Sequence, residues 1–129
     1  MPDSPAKQVA FVTGAVALDA EMRVDTMVCA TGICNDAKLL DLTRAMAMAL
    51  RDAQIAVNSV APGFTDTPIT RSAPAEMFAA WEKLEPAGKA ASPDDIANAI
   101  AFLSAPSTHF ITGQTLFVDG GKSLGGLGI

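Results

Sequence analysis

Residues that could do chemistry crowd around one corner of the sequence, Pro62-Gly63-Phe64-Thr65-Asp66-Thr67-Pro68. The run before it, Ile55 to Ala61, is largely apolar, and Val57 and Val60 are β-branched, so it reads as a strand. Pro62 cannot continue a sheet ladder, and Gly63 has no Cβ to obstruct the approach of another molecule. Thr65 and Thr67 then offer hydroxyls just past the strand's carboxyl end, which is where open α/β sheets bind their ligands. The competing reading is a strand and tight turn with ordinary loop polars. His109 is the sole histidine; it sits in a Ser-Thr-His loop with no acid beside it in sequence, and is expected to be exposed. Cys29 and Cys34 lack the neighbours of a metal set, so no metal site is expected, and they read as reduced thiols, with a single disulfide between them as the alternative.

Several elements are needed to position that corner. The 129 residues suffice for one domain with a core. Half of them are hydrophobic and 18% are charged, which excludes a disordered chain. The net charge is −5 without a basic run, which argues against nucleic acid as a partner. There is no run of about 18 apolar residues, so no membrane span is expected. A cytoplasmic location is expected, since Asp3 and Thr13-Gly14 spoil the imitation of a signal peptide near the start.

Gln8 to Thr13 predicts a buried strand closed by Gly14, and Val24 to Ile33 a second strand with a turn at Gly32. Asp36 to Asp52 predicts the strongest helix, capped by Asn35 or Asp36, with a stripe of Leu39, Leu42, Met46, Ala49 and Leu50. Its unbroken apolar run from Ala45 to Leu50 calls for cover on two sides, the sheet and a partner subunit. Residues 64–75 read as a loop. Ala75 to Leu84 reads as a short helix presenting Met77, Ala80, Trp81 and Leu84 on one face. Ser92-Pro93-Asp94-Asp95 starts another helix, with Ser92 as cap, Pro93 in the first position, and Ile96, Ala97, Ile100, Ala101 and Leu103 as its buried face. A turn and a last strand follow, ending in Asp119-Gly120-Gly121.

Asn58-Ser59-Val60-Ala61-Pro62-Gly63 with Thr67, and the closing Asp119-Gly120-Gly121, resemble motifs of the short-chain dehydrogenase/reductase family. The resemblance covers roughly the last two thirds of the chain and only fragments of the first third. It implies a Rossmann-like, doubly wound α/β fold with a mostly parallel sheet, here reduced in strand number. It also implies a single domain over residues 1–129: a fragmentary nucleotide-binding half at 8–33, then helix, Pro-Gly corner, lid and final strand over 34–121.

The implied cofactor is NAD or NADP. Pro62, Gly63, Thr65 and Thr67 would line its nicotinamide side, and Gly14 and Gly32 would give backbone approaches. The implied activity is hydride transfer between that cofactor and a small-molecule alcohol or ketone. A family tyrosine moves the proton and a lysine four residues later holds the ribose. Here those positions hold Cys34 and Lys38, and the sequence contains no tyrosine. The family's catalytic serine has no counterpart, and two glycine positions after Gly14 hold Leu18 and Ala20. A thiol beside a lysine can ionise near neutral pH, but it is shorter than a phenol. Two readings follow: a short-chain oxidoreductase working as a homo-oligomer (dimer or tetramer), or an inactive remnant serving as a binding or oligomerisation module. The compressed spacing of the motifs fits a shortened relative or portions of a longer chain.

Overall fold

A computed structural model describes residues 9–12, 26–30 and 36–125. Among the described residues, four strands form one parallel sheet in the order β1-β2-β3-β4: β1 Val9–Val12, β2 Thr26–Ala30, β3 Ala56–Pro62 and β4 Thr115–Val118. The register sets Thr26 beside Ala56 and Ala30 beside Val60, then Ser59 beside Thr115 and Pro62 beside Val118. The β2–β3 neighbourhood is direct, as the reduced strand number requires.

β3 is central, and every residue from Ala56 to Ala61 is buried. A strand covered on both faces gains most from small and β-branched side chains, and that is the composition here. Its two faces meet different helices. Val57 and Ala61 pack with Ala47 of α1 (Asp36–Leu50), joined by Met46, Leu50, Ile55 and Phe117. Val60 packs with Leu103 of α4 (Pro93–Ser104), joined by Ile96, Ala99, Ile100, Ile111 and Val118. The sheet is therefore wound on both sides, a Rossmann-like α/β arrangement. The β2–α1–β3 and β3–α4–β4 crossovers step in the same direction along the sheet yet lie on opposite faces, so they differ in hand. One of them departs from the right-handed rule.

α4 starts as the sequence predicts. The Ser92 side chain accepts from the Asp95 amide, Asp95 returns a carboxylate to the Ser92 amide, and Pro93 occupies the first turn. Its buried face is narrower than expected, because Ala97 and Ala101 are exposed while Leu103 is buried. In α1 the expected stripe is rotated. Thr43 and Ala47 are buried, whereas Ala49 is exposed and Leu42 is 54% exposed. The Thr43 hydroxyl donates to Ser59 Oγ at 3.0 Å, and this bond helps to fix the rotation.

Residues 64–75 are more than a loop. Thr67 caps a one-turn helix, α2 (Pro68–Arg71), through a reciprocal bond with Thr70, and Pro68 fits its first turn. α3 (Ala75–Lys83) also turns differently from its expected face. Phe78 is the buried residue and Trp81 is half-buried, while Met77, Ala80 and Leu84 are exposed. Phe64 decides this, because its ring meets Phe78 at 5.0 Å and Trp81 edge-on at 5.5 Å.

Candidate functional site

The polar residues of β3 and of the corner that follows it fall into two groups. Asn58 and Ser59 are fully buried and spent inside the fold. Asn58 Nδ2 donates to the Ile111 carbonyl at 2.9 Å, and its Oδ1 accepts from the Gln114 amide at 3.1 Å. Ser59 Oγ lies 2.6 Å from Thr115 Oγ1, and the Val57 amide donates to Thr112 Oγ1 at 3.0 Å. These bonds clamp residues 111–115 against β3, satisfying groups that would be costly to bury alone.

Beyond Ala61 the chemistry opens outward. A cleft of about 490 Å³ lies at the carboxyl end of β3, bordered by Pro62, Gly63, Phe64, Thr65, Thr67, Ile69 and Thr70 on one side. Pro93, Ile96, Ala97 and Ile100 of α4 form the other. Its walls are mostly apolar, with a few convergent polar groups, as in a small-molecule site.

Gly63 has a second role that the sequence did not suggest. A Cβ placed there would come within 2.8 Å of the Asp119 Cα, so the missing side chain makes room for the chain's own β4 terminus. The Gly63 amide donates to the Val118 carbonyl at 3.0 Å, which closes the same junction. Asp119 in turn holds the amides of Gly121 and Ser123 at 3.0 and 2.8 Å. Partial burial works to raise its pKa, but the bonds from Ser123 and from the Gly121 amide outweigh burial and hold it below the usual carboxylate value.

The threonines are partly committed to the loop. Thr65 Oγ1 donates to the Gly63 carbonyl at 3.0 Å. Thr70 Oγ1 accepts from the Thr67 amide at 2.9 Å and reaches the Thr65 carbonyl at 2.8 Å. Thr67 Oγ1 accepts from the Thr70 amide at a long 3.4 Å and has Thr70 Oγ1 at 3.1 Å. Backbone bonds pin the loop to the segment before α4: the Ala91 amide donates to the Phe64 carbonyl, and the Asp66 amide to the Ala91 carbonyl, both at 2.9 Å. Arg71 closes the far side with a two-pronged bond to Asp66, each prong 2.6 Å, and its guanidinium lies 4.0 Å over the Phe78 ring. The Arg71 bond holds the Asp66 carboxyl below its ordinary value.

Of the other candidate residues, Lys38 lies in the first turn of α1. α1 runs antiparallel to the strand it precedes, with Thr43 level with Ser59, so position 38 falls towards the sheet's carboxyl edge. Gly14, Gly32 and Cys34 lie outside the described residues, as do Leu18, Ala20 and the expected cap Asn35. His109 is exposed, with Nδ1 2.9 Å from the Pro106 carbonyl.

A dinucleotide can be tested against what is present. The cleft's volume and apolar walls leave room for a flat ring such as a nicotinamide, while the Thr67 and Asp66 amides and the Thr65 and Thr67 carbonyls are already bonded within the fold. For the diphosphate end, the sequence carries Leu18 and Ala20 where the glycine pattern would have the close-approach residues.

A parallel sheet with helices on both faces and a cleft beyond its carboxyl edge defines a Rossmann-like α/β domain. Comparison with known proteins narrows this. A family model described as enoyl-(acyl carrier protein) reductase matches residues 30–123. The chain is 41% identical over 85 residues to cis-4-hydroxycyclohexanecarboxylate dehydrogenase of Sinomonas cyclohexanicum, an alignment covering 66% of this chain and 34% of that protein. It is 40% identical over 85 residues to the 3-oxoacyl-[acyl-carrier-protein] reductase FabG of Vibrio cholerae, covering 66% of this chain and 35% of the relative. It is also 43% identical over 88 residues to the BbsD subunit of (2S)-[(R)-hydroxy(phenyl)methyl]succinyl-CoA dehydrogenase from Thauera aromatica, covering 68% and 36%. The chain belongs to the short-chain dehydrogenase/reductase family. It spans about a third of the length of these relatives.

Proposed function

We propose that the chain is an NAD(P)-dependent oxidoreductase domain of the short-chain type, acting on a small alcohol or carbonyl compound. The observation that carries this reading is the cleft against Pro62, Gly63, Thr65 and Thr67, at the sheet edge where the fold binds ligands. The relatives named as dehydrogenases and reductases support it. A nicotinamide bound there supplies or accepts a hydride. In this reading Thr65, Thr67 and the Pro62-Gly63 backbone orient the bound ring, and Ile96 and Ile100 exclude water from one side. Gly14 and Gly32 give close backbone approaches, Lys38 holds the ribose, and Cys34 with Lys38 forms the proton-handling pair.

The absence of tyrosine in this sequence favours a second reading, a catalytically inactive family remnant serving as a binding or oligomerisation module. Either form is proposed to be cytoplasmic and a dimer or tetramer. None of the helices among the described residues is long and apolar enough to cross a membrane. The outer side of α1 supports self-association, since Leu42 and Met48 are 54% and 69% exposed beside the exposed Ala45 and Ala49.

The test is turnover of NADH and NADPH with a panel of ketones, alongside cofactor binding. Binding with turnover supports the oxidoreductase, binding without turnover supports the module, and no binding at millimolar cofactor removes both cofactor readings.

A further inference from the structure

α2 is the least self-sufficient element on the cleft wall. It has four residues, far fewer than the roughly 12–15 at which a helix begins to hold itself in water. Pro68, Ile69 and Arg71 are exposed and Thr70 is half-buried, so burial contributes little to its position. The capping bonds between Thr67 and Thr70, and the bond from Thr70 Oγ1 to the Thr65 carbonyl, stay within the loop. Yet Ile69 and Thr70 border the cleft, and Ile69 is 81% exposed there.

Arg71 fastens this turn to the rest of the fold. Its Nε and Nη2 each donate to one oxygen of Asp66 at 2.6 Å, bridging α2 from end to end. The Asp66 amide donates to the Ala91 carbonyl, so that end of the bridge is fixed to the segment ahead of α4. The guanidinium also lies 4.0 Å over the ring of Phe78, the buried residue of α3. Phe78 is a firm platform. Its ring meets Phe64, which borders the cleft, and α3 is tied down just past its end where Lys122 pairs with the buried Glu85. Two anchors on separate segments thus converge on one side chain. A planar fork serves both at once, whereas an ammonium would supply the charge without the paired bonds or the stacked plane.

We propose that Arg71 is a positioning residue for the cleft: held by Asp66 and Phe78, it fixes α2 so that Thr67, Ile69 and Thr70 stand as a wall against the bound nicotinamide. The inference rests on the cofactor reading of the cleft, and adds that Arg71 acts on the ligand only through α2.

The test uses the intact chain and reads two quantities. Without nucleotide, hydrogen exchange is followed at the Ser72 and Ala73 amides, which bond back to Pro68 and Thr70. Arg71→Ala raises exchange there about tenfold and Arg71→Lys about threefold. The urea midpoint moves little, because the Arg71 side chain is 58% exposed. In calorimetric titrations with NADH and NADPH, the two variants weaken binding by about the same factors, since only chains with α2 in place are competent. Asp66→Asn also weakens binding, and adds nothing further when combined with Arg71→Ala. An Arg71 that met a nucleotide phosphate directly would give the opposite sign, because Asp66→Asn would free the guanidinium for it. Unchanged exchange in Arg71→Ala, a rise shared equally by the amides of α4, or unchanged or tighter nucleotide binding in Asp66→Asn overturns the proposal. If the unaltered chain binds neither nucleotide at millimolar concentration, the cofactor reading fails by itself. The fastening of α2 is then decided by exchange, sustained by the local rise in Arg71→Ala and overturned without it.

Discussion

The central strand β3 and the loop that follows it carry similar side chains and use them in opposite ways. At Asn58 and Ser59 the polar atoms face inward, and neighbouring backbone and hydroxyls saturate them. At Thr65 and Thr67 the same kinds of group hold a loop together but border an open cleft. Position in the strand or in the loop after it, rather than residue type, separates scaffold from site. The buried set contributes stability by clamping residues 111–115 onto the central strand, and the rim set can exchange local bonds for a ligand's.

The largest expected effect breaks the buried end. Asn58→Leu removes the fully buried side chain that bonds both the Ile111 carbonyl and the Gln114 amide, and leaves both without that partner. The expected loss is about 2–6 kcal/mol in urea unfolding, from two groups that lose their partner at about 1–3 kcal/mol each. Gly63→Ala comes next, since the new Cβ collides with backbone rather than with a flexible side chain. A cost of about 1–3 kcal/mol is expected, together with a displaced cleft corner that weakens cofactor binding. Unchanged stability would show that the β3–β4 junction yields easily.

At the rim, Thr67→Val removes the cap of α2 and is expected to cost about 1 kcal/mol by the same assay. Its effect on cofactor affinity should exceed its effect on stability, the reverse of Asn58→Leu. The smallest effect concerns pH. The carboxyls of Asp66, Asp95 and Asp119 are held below their ordinary value of 3.8 in the fold. Their contribution is full above that value and is lost as pH falls through the lowered folded values. Acid unfolding should therefore show flat stability down to about pH 4 and a decline below it.

Much of the scaffold was legible. The β-branched run into Pro62-Gly63 marked the central strand, and Ser92-Pro93-Asp94-Asp95 marked the start of α4, because local chemistry alone sets those features. Helix rotation was not legible. The alanine- and methionine-rich stretch of α1 offers no polar marker, and the buried Thr43 pairs with a serine sixteen residues away. α2 was missed because its Thr67–Thr70 capping box is embedded in a proline- and threonine-rich stretch that also suits a loop. At the site, Pro62, Gly63, Thr65 and Thr67 do border one cleft, but the packing of Gly63 on Asp119 depends on a contact between residues distant in sequence. Glu85 with Lys122, thirty-seven residues apart, carried no local signal at all.

The most direct test of the central idea is titration of NADH and NADPH while following Trp81 fluorescence. Trp81 contacts Phe64 edge-on, and Phe64 forms part of the cleft wall. The expected result is a saturable change, strongly reduced in Ala97→Phe, which fills the cleft from an exposed position of α4 without touching the sheet. A folded chain showing no saturable change at millimolar nucleotide, or an equal change in Ala97→Phe, would contradict the assignment of the cleft to the nicotinamide end.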